Sequence, residues 1–182
     1  MLKILEQKKT KKTDQKWVLI ITTIAFSISF LLSLVSELII PNASIIISII
    51  LVLIFIALGI IFDIIGVAVT TADNKVFHSM ASQKIKGSKK AIKLINKKDK
   101  VSSFCNDVIG DICGVISGSC GLSIALKLSS ILNINALIIT LITTSIISAL
   151  TIGGKAMGKS FAVNNSNEII YEFSKILSII SK

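Results

Sequence analysis

Four long stretches with little charge dominate the chain, at about residues 17–40, 45–72, 101–127 and 132–152. About twenty apolar residues in a helix cross the roughly 30 Å hydrocarbon core of a bilayer. With no water in that core, only helices and closed barrels satisfy their own backbone hydrogen bonds. The expected fold class is therefore all-α: a polytopic helical membrane protein with about four transmembrane helices in one membrane domain, residues 17–165. A mean hydropathy of +0.83 across 182 residues, 52% of them hydrophobic, fits that class and not a soluble domain.

The charges set an orientation. The formal charge is +10, and every basic residue is lysine. Six lysines lie in residues 1–16, nine in 74–100 and four after 152, whereas the two opposite loops contain only Lys127. Lysine-rich loops stay on the cytoplasmic side, so both termini and the middle loop are expected there, in a multi-pass protein of the cell membrane. The same clustering points to a lipid bilayer with anionic head groups as the partner of the basic segment, and not to nucleic acid. Residues 1–16 are expected to form a mobile basic cytoplasmic tail. The apolar stretch that follows is too long for a signal peptide and lacks a small-residue cleavage site, so a retained helix is expected.

Within 74–100 the apolar residues recur at helical spacing: Phe77, Met80, Ala81 and Ile85, then Ala91, Ile92 and Ile95. Gly87-Ser88 divides them, which predicts a juxtamembrane hairpin of two amphipathic helices along the membrane face. A solvated basic loop is the alternative. His78 is expected at its surface. Residues 166–182, with Ile169, Ile170, Phe173, Leu177 and Ile180, predict a short C-terminal amphipathic helix. Cys105, Cys113 and Cys120 all fall in one apolar segment, odd in number and without metal-ligand spacing, and are expected to be small packing residues.

The polar residues inside the spans carry the functional argument, because ionisable groups are costly in hydrocarbon. Asp63 interrupts the second span, and Asp107 and Asp111 lie in the third beside Asn106. At 1.5 Å per residue, Asp63 and Asp111 each lie about 15 Å from the cytoplasmic end of antiparallel neighbours. Asp63, Asn106, Asp107 and Asp111 are thus expected to converge. No lysine lies in the second span, nor in the third before Lys127, to offset their charge. A bound cation, protonation or water must do so, and oxygen ligands suit a hard cation such as Mg2+. Asp107, Asp111, Gly114 and Gly118 follow steps that share one helix face. Gly110, Gly114 and Gly118 form a small-residue stripe suited to close helix approach.

The order of these features resembles the transmembrane domain of the cyclin M / CorC (CorB) family of magnesium transport proteins, over roughly residues 55–165. The run Phe62-Asp63-Ile64-Ile65-Gly66-Val67-Ala68-Val69-Thr70-Thr71-Ala72 sits where the family has a pattern like F-S-x-S-E-T-A-L-T-S. Gly87-Ser88-Lys89-Lys90-Ala91-Ile92-Lys93-Leu94-Ile95 is similar to its G-A-x-x-A-L-x-L-L hairpin. Val101-Ser102-Ser103-Phe104-Cys105-Asn106-Asp107-Val108-Ile109 is similar to its L-S-T-x-x-x-G-N-x-L-V-N helix start. Gly154-Lys155-Ala156-Met157-Gly158-Lys159-Ser160-Phe161-Ala162 is a weaker match to G-E-x-x-P-K-x-x-A after the last crossing. The resemblance implies a homodimeric transporter holding Mg2+ or Co2+ between the second and third spans. Of the family's ligand positions only Asn106 is retained: the serines are Asp63 and Ile65, the glutamate Gly66 and the second asparagine Gly110.

The expected metal set is accordingly Asp63, Asn106, Asp107 and Asp111, with Ser102, Ser103, Thr70 and Thr71 as further oxygens and Gly66 permitting helix movement. No nucleotide is expected, since the family's paired CBS module does not follow residue 182, and a separate regulatory chain is a possible partner. The competing expectation is a non-transporting scaffold or subunit that assembles through the glycine stripe. An enzyme is not expected: there is no Ser/His/Asp or Cys/His arrangement and no phosphate loop.

Overall fold

The computed structural model describes residues 2–40 and 42–180, and helices account for nearly all of them. Helix α1, Leu2–Ile39, turns through Asn42 and Ala43 into α2, Ile45–Thr71, where the Ser44 hydroxyl accepts the Ile47 N–H at 3.4 Å. The helical hairpin follows as α3, Asn74–Ser82, and α4, Ser88–Ile95. Gly87 adopts φ of 93° at the start of α4, a left-handed conformation that glycine enters without steric cost. The third span is composite: α5 (Lys98–Ser103), a π-helical segment (Phe104–Gly110) and α6 (Asp111–Leu132) run on without a turn. Asn133, also left-handed, and the Asn135 cap lead into α7, Ala136–Asn164, and α8 covers Ser166–Ile180.

Four of these stretches are long and apolar enough to cross a membrane: Gln15–Ile39, Ile45–Thr71, Lys98–Leu132 and Ala136–Asn164. Helices α2, α6 and α7 pack against one another in a three-helix core, while α1 leans on α6 and the π segment. Val52, Phe55, Ile56, Ile112, Ile116, Cys120, Ile124 and Ile147 form that core. Large apolar side chains such as Leu19, Phe26, Ile46, Leu53, Leu141 and Ile152 are exposed around it, as expected where lipid tails and not water surround the bundle. The protein is an all-α helical membrane protein. All three cysteines are buried and free, and His78 is exposed.

The close helix approaches differ from the predicted stripe. A Cβ at Gly114 or Gly118 would meet nothing within 4 Å among the described residues. The tight positions include Gly66 of α2, against Asn106, Gly121 of α6, against Ile147 of α7, and Gly154 and Gly158 of α7, which face Ile60 and Ile64 of α2; at Gly59 a Cβ would come to 3.2 Å from the Cβ of Cys113. The small-xxx-small contact inside the chain thus belongs to Gly154 and Gly158 of α7. Of the stripe only Gly110 has neighbours from other helices among the described residues, where a Cβ would come to 3.4 Å from Lys155 Nζ and 3.8 Å from the Gly59 carbonyl.

A second core caps the lysine-rich end. Phe77, Ala91, Ile95, Ala162 and Ile170 are buried there with Ala68 and Val69 of α2. The apolar faces of α3, α4 and α8 turn toward one another and the ends of α2 and α7, not outward as an isolated surface hairpin would. Lys90 Nζ donates to the Leu177 carbonyl at 2.8 Å, and the Asp73 N–H donates to Asn167 Oδ1 at 2.8 Å. The tail expected to be mobile is helical from Leu2. Its Leu, Lys, Glu and Gln residues are good helix formers, and extending a helix already nucleated by the span costs little.

At the opposite end Lys127, within α6, has a local role. Lys127 Nζ donates to the carbonyls of Ile40 and Ala43, at 2.7 Å for the latter, tying α6 to the turn that follows α1.

Candidate polar site between the second and third spans

Helix α2 is uncharged from Ile45 to Phe62, about 27 Å of helix at 1.5 Å per residue, and α7 from Ala136 to Gly154, about 28 Å. Asp63 and Lys155 stand immediately after these blocks, so the ionised groups form a layer at the lysine-rich end of the apolar bundle. Sequence spacing placed α7's end at residue 152, outside that layer. The helix instead continues to Asn164, because Ala, Met, Lys and Ser carry it on with no proline, and its last turns pack on α2 through Gly154 and Gly158.

That extension changes the electrostatics. Lys159 Nζ lies 3.8 Å from Asp63 Oδ2, and Lys155 Nζ lies 3.5 Å from Asp111 Oδ1. Lys155 also donates to the Gly110 carbonyl at 3.4 Å. The two lysines are one helical turn apart and so share a face of α7. The expectation that no basic residue reaches the carboxylates is corrected by these pairs.

The four candidate ligands do not meet at one point. Among the described residues no three His, Cys, Asp or Glu side chains come together. The Asp63 side chain is buried, at 6% relative exposure, whereas that of Asp111 is 69% exposed and Asp107 is also exposed. Asp107 accepts a 2.7 Å hydrogen bond from Ser103 Oγ, one turn back. Asp107 and Asp111 do share one face, as their four-residue spacing gives, but it is the exposed face that runs on to Val115, whereas Asp63 is buried. Thr70 and Thr71 point elsewhere too: both donate to the Val67 carbonyl, and Thr71 also to that of Ala68.

What the fold does bring together is Asn106 and Gly66. A Cβ on Gly66 would fall on the amide of Asn106, so the glycine leaves the space that this side chain fills. Asp63 lies three residues earlier on the same face of α2. Asn106 Nδ2 contacts Ser102 Oγ at 3.4 Å, one turn back. Asp63 Oδ2 and Asn106 Oδ1 are each buried and have no hydrogen-bond partner among the described residues. The 3.8 Å separation from Lys159 compensates charge but exceeds hydrogen-bond length. Buried acceptors are almost always paired, so each of these two atoms calls for a donor, a water or a cation.

Lys155 and Lys159 are the residues that sequence reasoning left out of the site. Their four-residue spacing was visible, and the signal would have been that α7 could continue beyond its apolar block. No protein-family model matches the chain, and no characterised protein or solved structure matches it either.

Proposed function

We propose that the protein is a multi-pass cell-membrane transport protein for a divalent cation, Mg2+ or Co2+, resembling the CorC (CorB) and cyclin M transport domain in plan. The lysine distribution supports an orientation with both termini and the helical cap in the cytoplasm, where exposed lysines of the hairpin meet anionic head groups. The observation that carries the reading is the pair of buried, unpartnered acceptors Asp63 Oδ2 and Asn106 Oδ1 beside Gly66.

The ligand set is smaller than composition suggested: Asp63, Asn106 and the Ser102 hydroxyl. Asp107, Asp111, Ser103, Thr70 and Thr71 lie outside it. Three protein oxygens suit an ion that keeps several waters, as Mg2+ does when one or two carboxylates hold it. Irregular helix at an ion site is a recurrent feature of transporters, and the π segment places Asn106 in such a stretch. The chain acts as a homodimer in this reading, with Gly114 and Gly118 of α6 on a face open to a second copy.

In reconstituted vesicles, Asp63→Asn and Asn106→Ala should each lower Mg2+ flux by at least tenfold while expression and helix content are kept. Full flux in both variants rejects the site. The uncovered Gly114 and Gly118 favour a second reading, a scaffold that assembles through α6. Under it, Gly114→Leu abolishes assembly and Asp63→Asn has no effect.

A further inference from the structure

Lys159 stands in a relation to Asp63 that a transport site does not require. We propose that Lys159 is a tethered counter-cation, whose ammonium compensates Asp63 in the empty site and which the incoming metal ion must displace. The inference rests on the cation-site reading above and adds a competitor to it.

Three observations lead there. Asp63 is buried, and an isolated buried carboxylate is strongly disfavoured unless a positive group is near. Lys159 supplies that group at 3.8 Å, yet leaves Oδ2 without a hydrogen bond, so the oxygen keeps its lone pairs for another ligand. The Lys159 side chain is 57% exposed, and a four-carbon stem swings such an ammonium into solvent at little cost. A divalent ion at Asp63 and Asn106 would repel the ammonium, and the exposed route gives it somewhere to go. Lys155 offers a matched comparison. It is one turn away with the same charge, but faces Asp111, which is exposed and outside the ligand set.

The test is titration of the purified full chain with Mg2+ alone. Removing the competitor should tighten binding: Lys159→Met is expected to lower Kd by roughly tenfold, the factor that about 1.4 kcal/mol of relieved competition gives. Lys155→Met, which removes the same charge, should change Kd by less than about threefold, some 0.65 kcal/mol on the same scale. Should Lys159→Met fail to fold, Lys159→Gln keeps a donor for Asp63 and carries the same comparison. Mg2+ should also raise the acylation of Lys159 by an amine-reactive reagent, read by mass spectrometry, without raising that of Lys155. Equal tightening in both variants, weaker binding in Lys159→Met, or unchanged Lys159 labelling overturns the counter-cation while leaving the site in place. No Mg2+ binding by any of the proteins overturns both.

Discussion

Gly66 of α2 and Asn106 of the π-helical segment occupy one space: the amide of Asn106 lies where a Cβ on Gly66 would stand. The position costs helix propensity, since glycine is about 1 kcal/mol worse than alanine in a helix interior. What it gains is a polar side chain brought against the helix that carries Asp63. Because the obstructing atoms are the end of a rotatable side chain, Gly66→Ala should displace Asn106 without unfolding the bundle. We expect thermal stability in detergent within about 1 kcal/mol of wild type, the opposing helix-propensity gain included, together with lost Mg2+ binding. Asn106→Ala added to Gly66→Ala should raise stability above the single variant. A Gly66→Ala protein that binds Mg2+ as wild type does would show that the contact is incidental.

The Asp63–Lys159 pair is asymmetric, and its two halves should fail differently. Removing Lys159 leaves a buried carboxylate without compensation, whereas removing Asp63 leaves an ammonium that is already more than half exposed. Lys159→Met should therefore destabilise the protein by about 1–2 kcal/mol, below the range for a fully buried pair because solvent screens the lysine. Asp63→Asn should cost less, and the double variant should recover most of the loss. Thermal unfolding of the three proteins distinguishes this from a pair that contributes nothing, for which all three would match wild type.

The glycines of α7 and α6 separate folding from assembly. Gly158→Leu would drive a branched side chain into Ile60 and Ile64, where a Cβ alone already comes to 2.9 Å. Overpacking of this kind costs about 1–3 kcal/mol or more, so a clear drop in the unfolding temperature is expected. Gly114→Leu meets open space in the protomer and should leave that temperature unchanged. Any effect of Gly114→Leu should show in the oligomeric state by light scattering. Equal destabilisation by both substitutions would contradict the packing described here.

Much of this architecture was legible in residue spacing. The apolar runs located all four spans, Gly87 marked the hairpin break, and the cysteines lay where small packing residues were needed. The site was only partly legible. Asp63 and Asn106 were picked out because polar groups in an apolar run are exceptional, and each has a buried oxygen without a hydrogen-bond partner among the described residues. Asp107 and Asp111 were assigned to a common face and do share one, but spacing could not show that this face is the exposed one while Asp63 is buried. Lys155 and Lys159 were missed because hydropathy ends a span where charge begins, while the α7 helix does not end there. The hairpin's amphipathicity was visible, but not that α8 would cover it, since two apolar stripes distant in sequence do not announce their pairing.

Lys127 provides a check at the other end of the bundle. Its ammonium donates to two carbonyls at the close of α1. Hydrogen bonds to charged groups contribute about 1.5–3 kcal/mol each net of exchange with water. Lys127→Met should lower stability by about 1–2 kcal/mol on that scale and raise protease sensitivity between α1 and α2. Unchanged cleavage there would mean that the turn holds without it.

The central claim is that Asp63 and Asn106 together form a cation site at the Gly66 junction. Isothermal titration of the purified protein with Mg2+, beside the Asp63→Asn/Asn106→Ala double variant, tests it most directly. The account predicts saturable binding to the wild type, with loss of that heat in the double variant at unchanged helix content. Identical titrations for the two proteins would contradict it.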